Sequence, residues 1–292
     1  MQQKRDIRDI MFGKMSSAIV TAEIRADGSG ILCGVQKALR EALQLDLAMG
    51  HVLYDGAVLH PGTVILRFTG SPQKVLRAEE VLMGKMAKTS GIASAAHQFV
   101  QRVGQRIQIV SGAWKKMPSA LKQDIRDAVE QGGAGRRISD APFLYIDKNY
   151  TAIFGGIASA LLALGHLGDY LKVIHIRGTY GDITQEAMEA VENGAGIVFI
   201  DTGNAADIQR VSDLLHRRNL RHHVRIAFGG NIRLSQIDHL KNLDLDILDI
   251  GKAIIDAPLL DMRMEVVSVT PPDSSTSGVT LINEKEESYA AV

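Results

Sequence analysis

One cysteine in 292 residues, Cys33, excludes an intramolecular disulfide and fits a reducing compartment. It sits in "GILCG" (30–34) as a small core residue. An excess of charge of one sign is also missing. The 33 basic and 33 acidic side chains cancel to a net charge of zero, which excludes a general nucleic-acid footprint and leaves only local positive potential. There is no Cys/His cluster, no His-Glu-x-x-His pattern and no Walker glycine loop, so a structural zinc and an NTP-hydrolysing P-loop are disfavoured. Long apolar runs are scarce. The most apolar stretch, "TAIFGGIASALLALGHLG" (151–168), is barely as long as a membrane span and is broken by four glycines and a histidine, so it reads as a buried helix. The first residues, "MQQKRDIRDIMFGK", alternate charge with apolar side chains and lack the apolar core of a signal peptide. A cytoplasmic protein with no membrane partner is expected.

What is present is ordinary globular composition, 46% hydrophobic and 23% charged, with a change of rhythm along the chain. From residue 107 onward short apolar runs recur: "IQIVS" (107–111), "FLYI" (143–146), "KVIHI" (172–176), "GIVFI" (196–200), "VRIAF" (224–228) and "DILDI" (246–250). Segments with helical spacing separate them, such as "ALKQDIRDAVEQ", "ITQEAMEAVEN" and "AADIQRVSDLLHRR". That alternation predicts βα units around a parallel sheet, and about six units make an open barrel. The first hundred residues read instead as short strands with glycine turns ("AIVTAEIRA", "GILCG", "HVLYDGAVL", "GTVILRFTG") around a helix, "VQKALREALQ". A long helix beginning at Ser71-Pro72 follows. The expected class is α/β, with an α+β sandwich domain (1–106), an open βα barrel (107–265) and a polar tail (266–292). Within the tail, "VTLIN" could return to the first domain.

Chemistry in a βα barrel gathers where the strands end at their C-termini. Behind the predicted strands stand Trp114, Lys115 and Lys116, then Asp147 and Lys148. His175 and Arg177 lie on and after the third, Asp201 after the fourth, Gly229-Gly230 after the fifth, and Gly251-Lys252 after the sixth. The "GGAGRR" stretch adds Arg136 and Arg137. Lysines and glycine-rich backbone facing aspartates suit a sugar phosphate: N–H groups and cations grip phosphate, while carboxylates take ribose hydroxyls or a metal.

"DGAVLHPGTVILRFTGSPQKVLRAEEVLMGKMAKTSGIASAA" carries the signature Ser90-Gly91-Ile92-Ala93 at the end of a strand pair and a long helix, and it resembles the N-terminal domain of the quinolinate phosphoribosyltransferase (nicotinate-nucleotide pyrophosphorylase) family. The likeness continues through "GGAGRR", "IDTGN", "AFGGNI" and "ILDIGKAI", over roughly residues 15–260. It implies an α/β sandwich plus an open βα barrel, and a homodimer whose sites are completed across the interface. It also implies transfer of phosphoribose from phosphoribosyl pyrophosphate to an aromatic nitrogen base, in the presence of Mg2+. Lys115 falls on the lysine of the family's Thr-Arg-Lys-Thr motif, and Arg137 on the arginine of its His-Arg stretch. Asp201 falls on the aspartate ending the fourth strand, and Gly229-Gly230 on the phosphate-binding glycine pair. Lys115, Asp201 and His175 are the expected catalytic residues, with Asp201 and Asp147 available for Mg2+.

Elsewhere the pattern departs. Glu80 stands where the family has a carboxylate-binding arginine, Trp114 where it has the arginine of Thr-Arg-Lys-Thr, and Arg136 where it has a histidine. Lys-Asp-Asn-His becomes Asp147-Lys148-Asn149-Tyr150, and the glutamate of the third strand is replaced around His175 and Arg177. A dianion such as quinolinate needs arginine clamps. With Glu80 repelling and Trp114 offering a stacking face, the expected acceptor is another aromatic heterocycle, neutral or amino-bearing. The substrate-binding set is then Glu80, Trp114, Arg136, Arg137, Asp147, Lys148, Arg177, Gly229, Gly230, Gly251 and Lys252. The alternatives are a member of the molybdenum-transport-associated branch and a non-catalytic ligand-binding homologue.

Overall fold

The glycine-punctuated runs of the first seventy residues fold as short strands around one helix. The computed structural model describes residues 6–272. It opens with α1 (Ile7–Met11), β1 (Ile19–Ala26) and β2 (Gly30–Ile31), then α2 (Val35–Gln44), β3 (Ala48–Val52), β4 (Val58–Leu59) and β5 (Val64–Gly70). Next comes α3 (Pro72–Val103), which starts with Pro72 in its first turn, where the missing N–H costs nothing, and stops at Gly104 with φ +76°. Its first half packs Val75, Ala78, Leu82 and Met86 against the strands. Its second half packs Ile92, Ala93, Ala96, Phe99 and Val103 against the barrel. Two cores therefore meet inside α3, near Ser90, rather than after residue 106.

The βα units follow as β6 (Gln108–Val110), α4 (Lys122–Gln131), β7 (Phe143–Ile146), α5 (Lys148–Phe154), α6 (Ile157–Ala163), β8 (Leu171–Ile176), α7 (Ile183–Glu192), β9 (Ile197–Ile200), α8 (Ala205–Arg217), β10 (Arg225–Phe228), α9 (Ile237–Leu240), β11 (Ile247–Asp249) and α10 (Lys252–Ile255). The six strands pair in parallel in the order β6-β11-β10-β9-β8-β7, an open half-barrel. Each of the six short apolar runs between 107 and 250 contributes a strand of this sheet. The expected buried helix over 151–168 is instead two short helices. Gly155 (φ +81°) and Gly156 (φ +138°) break it, and Ile153 and Leu162 face solvent.

The chain then returns. β12 (Met262–Thr270) pairs antiparallel with β1 and completes the sheet β12-β1-β5-β3. The return to the first domain thus begins before residue 266 and uses "MRMEVVSVT"; "VTLIN" (279–283) lies outside the described residues. Its route crosses α3 so closely that a Cβ on Gly91 would meet the Pro258 carbonyl oxygen at 1.9 Å. Ser90 accepts the Cys33 N–H at 2.9 Å, and Thr89 donates to the Cys33 carbonyl at 2.7 Å. Ser90-Gly91-Ile92-Ala93 is therefore the point where the two domains are pinned, not a chemical motif.

Candidate active site

Side chains alternate across a strand, so the inward-facing residues of the six strands form layers. The inner layer is Val110, Val173, Ile197, Phe199, Ala227 and Ile247, joined by Ile138 from the loop before β7. One step further toward the C-terminal strand ends, the same parity presents Gly112, His175, Asp201, Gly229 and Asp249. Tyr145, next to Val173 in register, joins them from the edge strand. These residues floor a cavity of about 770 Å³ whose rim carries Trp114, Lys115, Lys116, Arg136, Arg137 and Lys252.

The floor is aromatic on one side. The rings of Tyr145 and His175 lie 4.7 Å apart and those of His175 and Phe199 4.2 Å apart, both edge to face. His175 Nε2 pairs with the Tyr145 hydroxyl at 2.5 Å, and its Nδ1 lies 3.8 Å from Asp201 Oδ2. Burial is the largest influence on this imidazole. It drives the pKa down to about 4 against the pull of Asp201, helped by Lys115, so His175 is neutral at physiological pH. The Tyr145 phenol is pushed upward, first by burial and then by Asp249, Asp201 and Asp147. Lys115 Nζ stands 5.1 Å from the Tyr145 ring centroid.

Asp201 is not free. Arg177 clamps its Oδ2 through both Nε, at 3.0 Å, and Nη2. Arg177 is itself held by backbone: its N–H and that of Gly178 donate to Glu186 Oε2 at 2.9 and 2.8 Å, and Tyr180 N–H donates to Oε1 at 2.6 Å. Asp249, on the floor, has its Oδ1 facing the Gly112 N–H at 3.3 Å. Burial lifts its carboxyl to about 6, opposed by that N–H and by Lys115. Among the described residues Asp249 makes no ion pair, and neither do Lys115, Lys116, Arg137 or Lys252. Arg136, by contrast, is engaged by Glu130 at 3.0 Å.

The glycine pair after β10 is demanded by packing. Gly230 has φ +111°, and a Cβ there would meet Gly203 N at 2.5 Å; one on Gly229 would meet the Phe199 ring at 2.7 Å. The loops after β9 and β10 thus touch backbone to backbone, sealed by Gly203 N–H donating to the Gly229 carbonyl at 3.1 Å.

The structure therefore gathers Trp114, Lys115, Arg136, Arg137, His175, Asp201, Gly229, Gly230, Gly251 and Lys252 around one cavity. Four expected residues stand apart from its lining. Asp147 caps α5, its Oδ1 accepting the Asn149 and Tyr150 N–H groups at 2.9 and 3.3 Å. Lys148 is exposed in the first turn of that helix. Arg177 reaches the site only through Asp201. Glu80 lies on α3 in the first domain, ion-paired to Arg8 at 2.7 Å. Mg2+ finds no protein-built cage either. Asp147 is spent as a cap, Asp201 carries a guanidinium, and no group of three or more His, Cys, Asp or Glu side chains is placed to hold a metal ion among the described residues. Tyr145, Phe199 and Asp249 are the floor residues that reading the strand ends misses. A parity count finds them, because each sits two residues before a position already singled out or in register with one.

The family models for the N-terminal and C-terminal domains of quinolinate phosphoribosyl transferase match residues 9–90 and 92–265. The chain belongs to the quinolinate phosphoribosyltransferase family. It is similar to a probable carboxylating nicotinate-nucleotide pyrophosphorylase of Archaeoglobus fulgidus, with 28% identity over 85% of this chain and 95% of the relative. The human carboxylating nicotinate-nucleotide pyrophosphorylase shares 24% identity over 84% and 82%. The crystal structure of nicotinate-nucleotide pyrophosphorylase from Pyrococcus furiosus superimposes with a TM-score of 0.79 at 19% identity, over 94% of this chain and 78% of that one, a likeness of fold.

At the positions where this quinolinate phosphoribosyltransferase-family chain departs from the motifs, the structure shows what the new side chains do. Trp114 packs: its indole N–H donates to the Arg136 carbonyl at 3.1 Å, and the Arg126 guanidinium covers a face at 3.8 Å from the ring centroid. It is less available for stacking than its place in the sequence implies. His175 takes the third-strand position as a buried neutral ring bonded to Tyr145.

Proposed function

We propose that the chain is a phosphoribosyltransferase, moving phosphoribose from phosphoribosyl pyrophosphate to a nitrogen of an aromatic heterocycle other than quinolinate. One observation carries this reading. Four cations without ion-pair partners among the described residues, Lys115, Lys116, Arg137 and Lys252, ring a cavity whose far side is aromatic. Unpaired cations converging on one concave site favour a polyanion, and pyrophosphate with a 5′-phosphate is one. Family membership and relatives named as nicotinate-nucleotide pyrophosphorylases support the same class. Magnesium belongs to this reading only as the counter-ion that the pyrophosphate brings with it.

In this account the chain works by placement and charge. The rim cations hold the departing pyrophosphate, and Asp201, fixed by Arg177, presents a carboxylate to the ribosyl unit, where positive charge grows as the bond to pyrophosphate lengthens. The aromatic wall orients the acceptor ring. Glu80, outside the cavity of its own chain, meets such a cavity only if a second copy presents it, which is the form a homodimer with shared sites would take.

Calorimetry with phosphoribosyl pyrophosphate and magnesium at low salt tests the reading. Binding in the micromolar to low millimolar range is expected, and no heat at millimolar ligand overturns it. Quinolinate turnover tests the acceptor. Losing a charge-assisted clamp costs about 2–5 kcal/mol, so nicotinate mononucleotide should form at a trace rate, and robust formation would make the chain a quinolinate enzyme after all.

A further inference from the structure

We infer that the Asp249 carboxylate reads the acceptor: it accepts a hydrogen bond from an N–H of a flat azole-type heterocycle and takes that proton as the ring is ribosylated. The inference rests on the transferase reading above and names its substrate class.

Asp249 lies on the inner face at the end of β11, two residues beyond core Ile247. Its Oδ1 is occupied by the Gly112 N–H, while Oδ2 has no hydrogen-bond partner among the described residues. Asp201 in the same cavity is spoken for by Arg177, whereas Asp249 makes no ion pair with a described residue. The backbone around it is stripped of side chains. Gly112, Gly229 and Gly251 all line the cavity beside it, and a Cβ added to Gly229 would collide with Phe199. A planar ring can therefore lie against the Tyr145–His175–Phe199 wall and bring its edge to Asp249.

The chemistry of that edge follows. A carboxylate there repels an acceptor carboxylate and attracts a donor, and neutral His175 supplies no compensating charge. Burial raises the Asp249 carboxyl to about 6, with Lys115, Lys116 and Asp201 as its charged neighbours, so it is ionised at neutral pH yet basic enough to accept a proton. In the step proposed, the ring nitrogen without hydrogen donates its lone pair to the ribosyl C1. The C1–O bond breaks, with its electron pair leaving on pyrophosphate. The N–H elsewhere on the ring passes its proton to Asp249, so the ribosylated ring is released neutral and Asp249 returns the proton to water.

Benzimidazole and 1-methylbenzimidazole differ in that one N–H and serve as probes, with quinolinate as the anionic control. Dissociation constants are read by ligand-observed NMR on the wild-type chain and on Asp249→Ala, with melting temperature recording whether the variant folds. The wild type should bind benzimidazole at least tenfold more tightly than its methylated form, and Asp249→Ala should shrink that ratio below threefold. If the variant does not fold, the wild-type ratio alone decides. A ratio near one in the wild type, tighter binding of quinolinate, or a ratio that survives in a folded Asp249→Ala overturns the inference. Calorimetry with phosphoribosyl pyrophosphate on the wild type separates the two readings. A chain that binds the sugar phosphate but ignores the N–H refutes only the role of Asp249. A chain that prefers the N–H but binds no phosphoribosyl pyrophosphate refutes the transfer reaction.

Discussion

Glu186→Gln is expected to loosen the loop that steers Arg177 onto Asp201. Glu186 is buried at 2% exposure, and its two oxygens accept three backbone N–H groups, from Arg177, Gly178 and Tyr180, at 2.6–2.9 Å. Glutamine keeps one carbonyl oxygen and replaces the other with a donor. If that oxygen stays with Arg177 and Gly178, the new NH₂ confronts the Tyr180 N–H and that bond is lost. A hydrogen bond to a charged group contributes about 1.5–3 kcal/mol and a neutral one about 1 kcal/mol. One bond lost and two weakened therefore sum to about 2.5–7 kcal/mol. For a chain of this size each kcal/mol moves the melting temperature by about 2–4 °C, so a fall of about 10 °C is expected when the loss is global. If the loop instead opens by itself, the melting temperature falls less, and hydrogen exchange at the Gly178 and Tyr180 amides accelerates by a hundredfold or more. Scanning calorimetry and amide exchange together cover both routes. Unchanged protection at those amides, with a melting temperature within 2 °C of wild type, would refute the assignment of Glu186 as the clamp of this loop.

Gly230→Ala should be among the costliest single-methyl changes in the chain, because it sets a φ of +111° against a side chain and drives a Cβ to 2.5 Å from Gly203 N. Backbone strain alone costs about 1–3 kcal/mol, and a urea midpoint equal to wild type would refute it. His175 should make stability depend on pH in a definite direction. Its folded pKa of about 4 lies below the unfolded value of about 6.5. The unfolded chain therefore binds a proton first as pH falls, and stability is lost between about pH 6.5 and 4. Between pH 7 and 5 that amounts to about 2 kcal/mol. His175→Asn should lose correspondingly less stability over this range, and identical pH slopes from urea titrations of the two proteins would contradict it.

Much of this protein was legible in the sequence by itself. The six apolar runs from 107 to 250 are strands, and α2 and the start of α3 lie where helical spacing and Ser71-Pro72 place them. Those features depend on alternation, propensity and terminators within a few residues, so local sequence suffices. The strand ends, and with them Lys115, His175, Asp201 and Lys252, follow from the same counting. Partners across the sheet do not. Asp249 meets Gly112 because β11 lies beside β6, a pairing of residues 137 apart in sequence. Tyr145 meets His175 across β7 and β8, and only that contact makes an aromatic floor from two ordinary strand residues. Asp147 and Asp201 look alike as strand-end carboxylates. Asp147 becomes a helix cap through backbone N–H groups two and three residues along the chain, a local bond, whereas only the tertiary structure hands Asp201 to Arg177, 24 residues away across neighbouring strands. Glu80 and the return of β12 to β1 tell the same story at longer range. Periodicity fixes which way a side chain faces, and the order of strands in the sheet fixes what it faces.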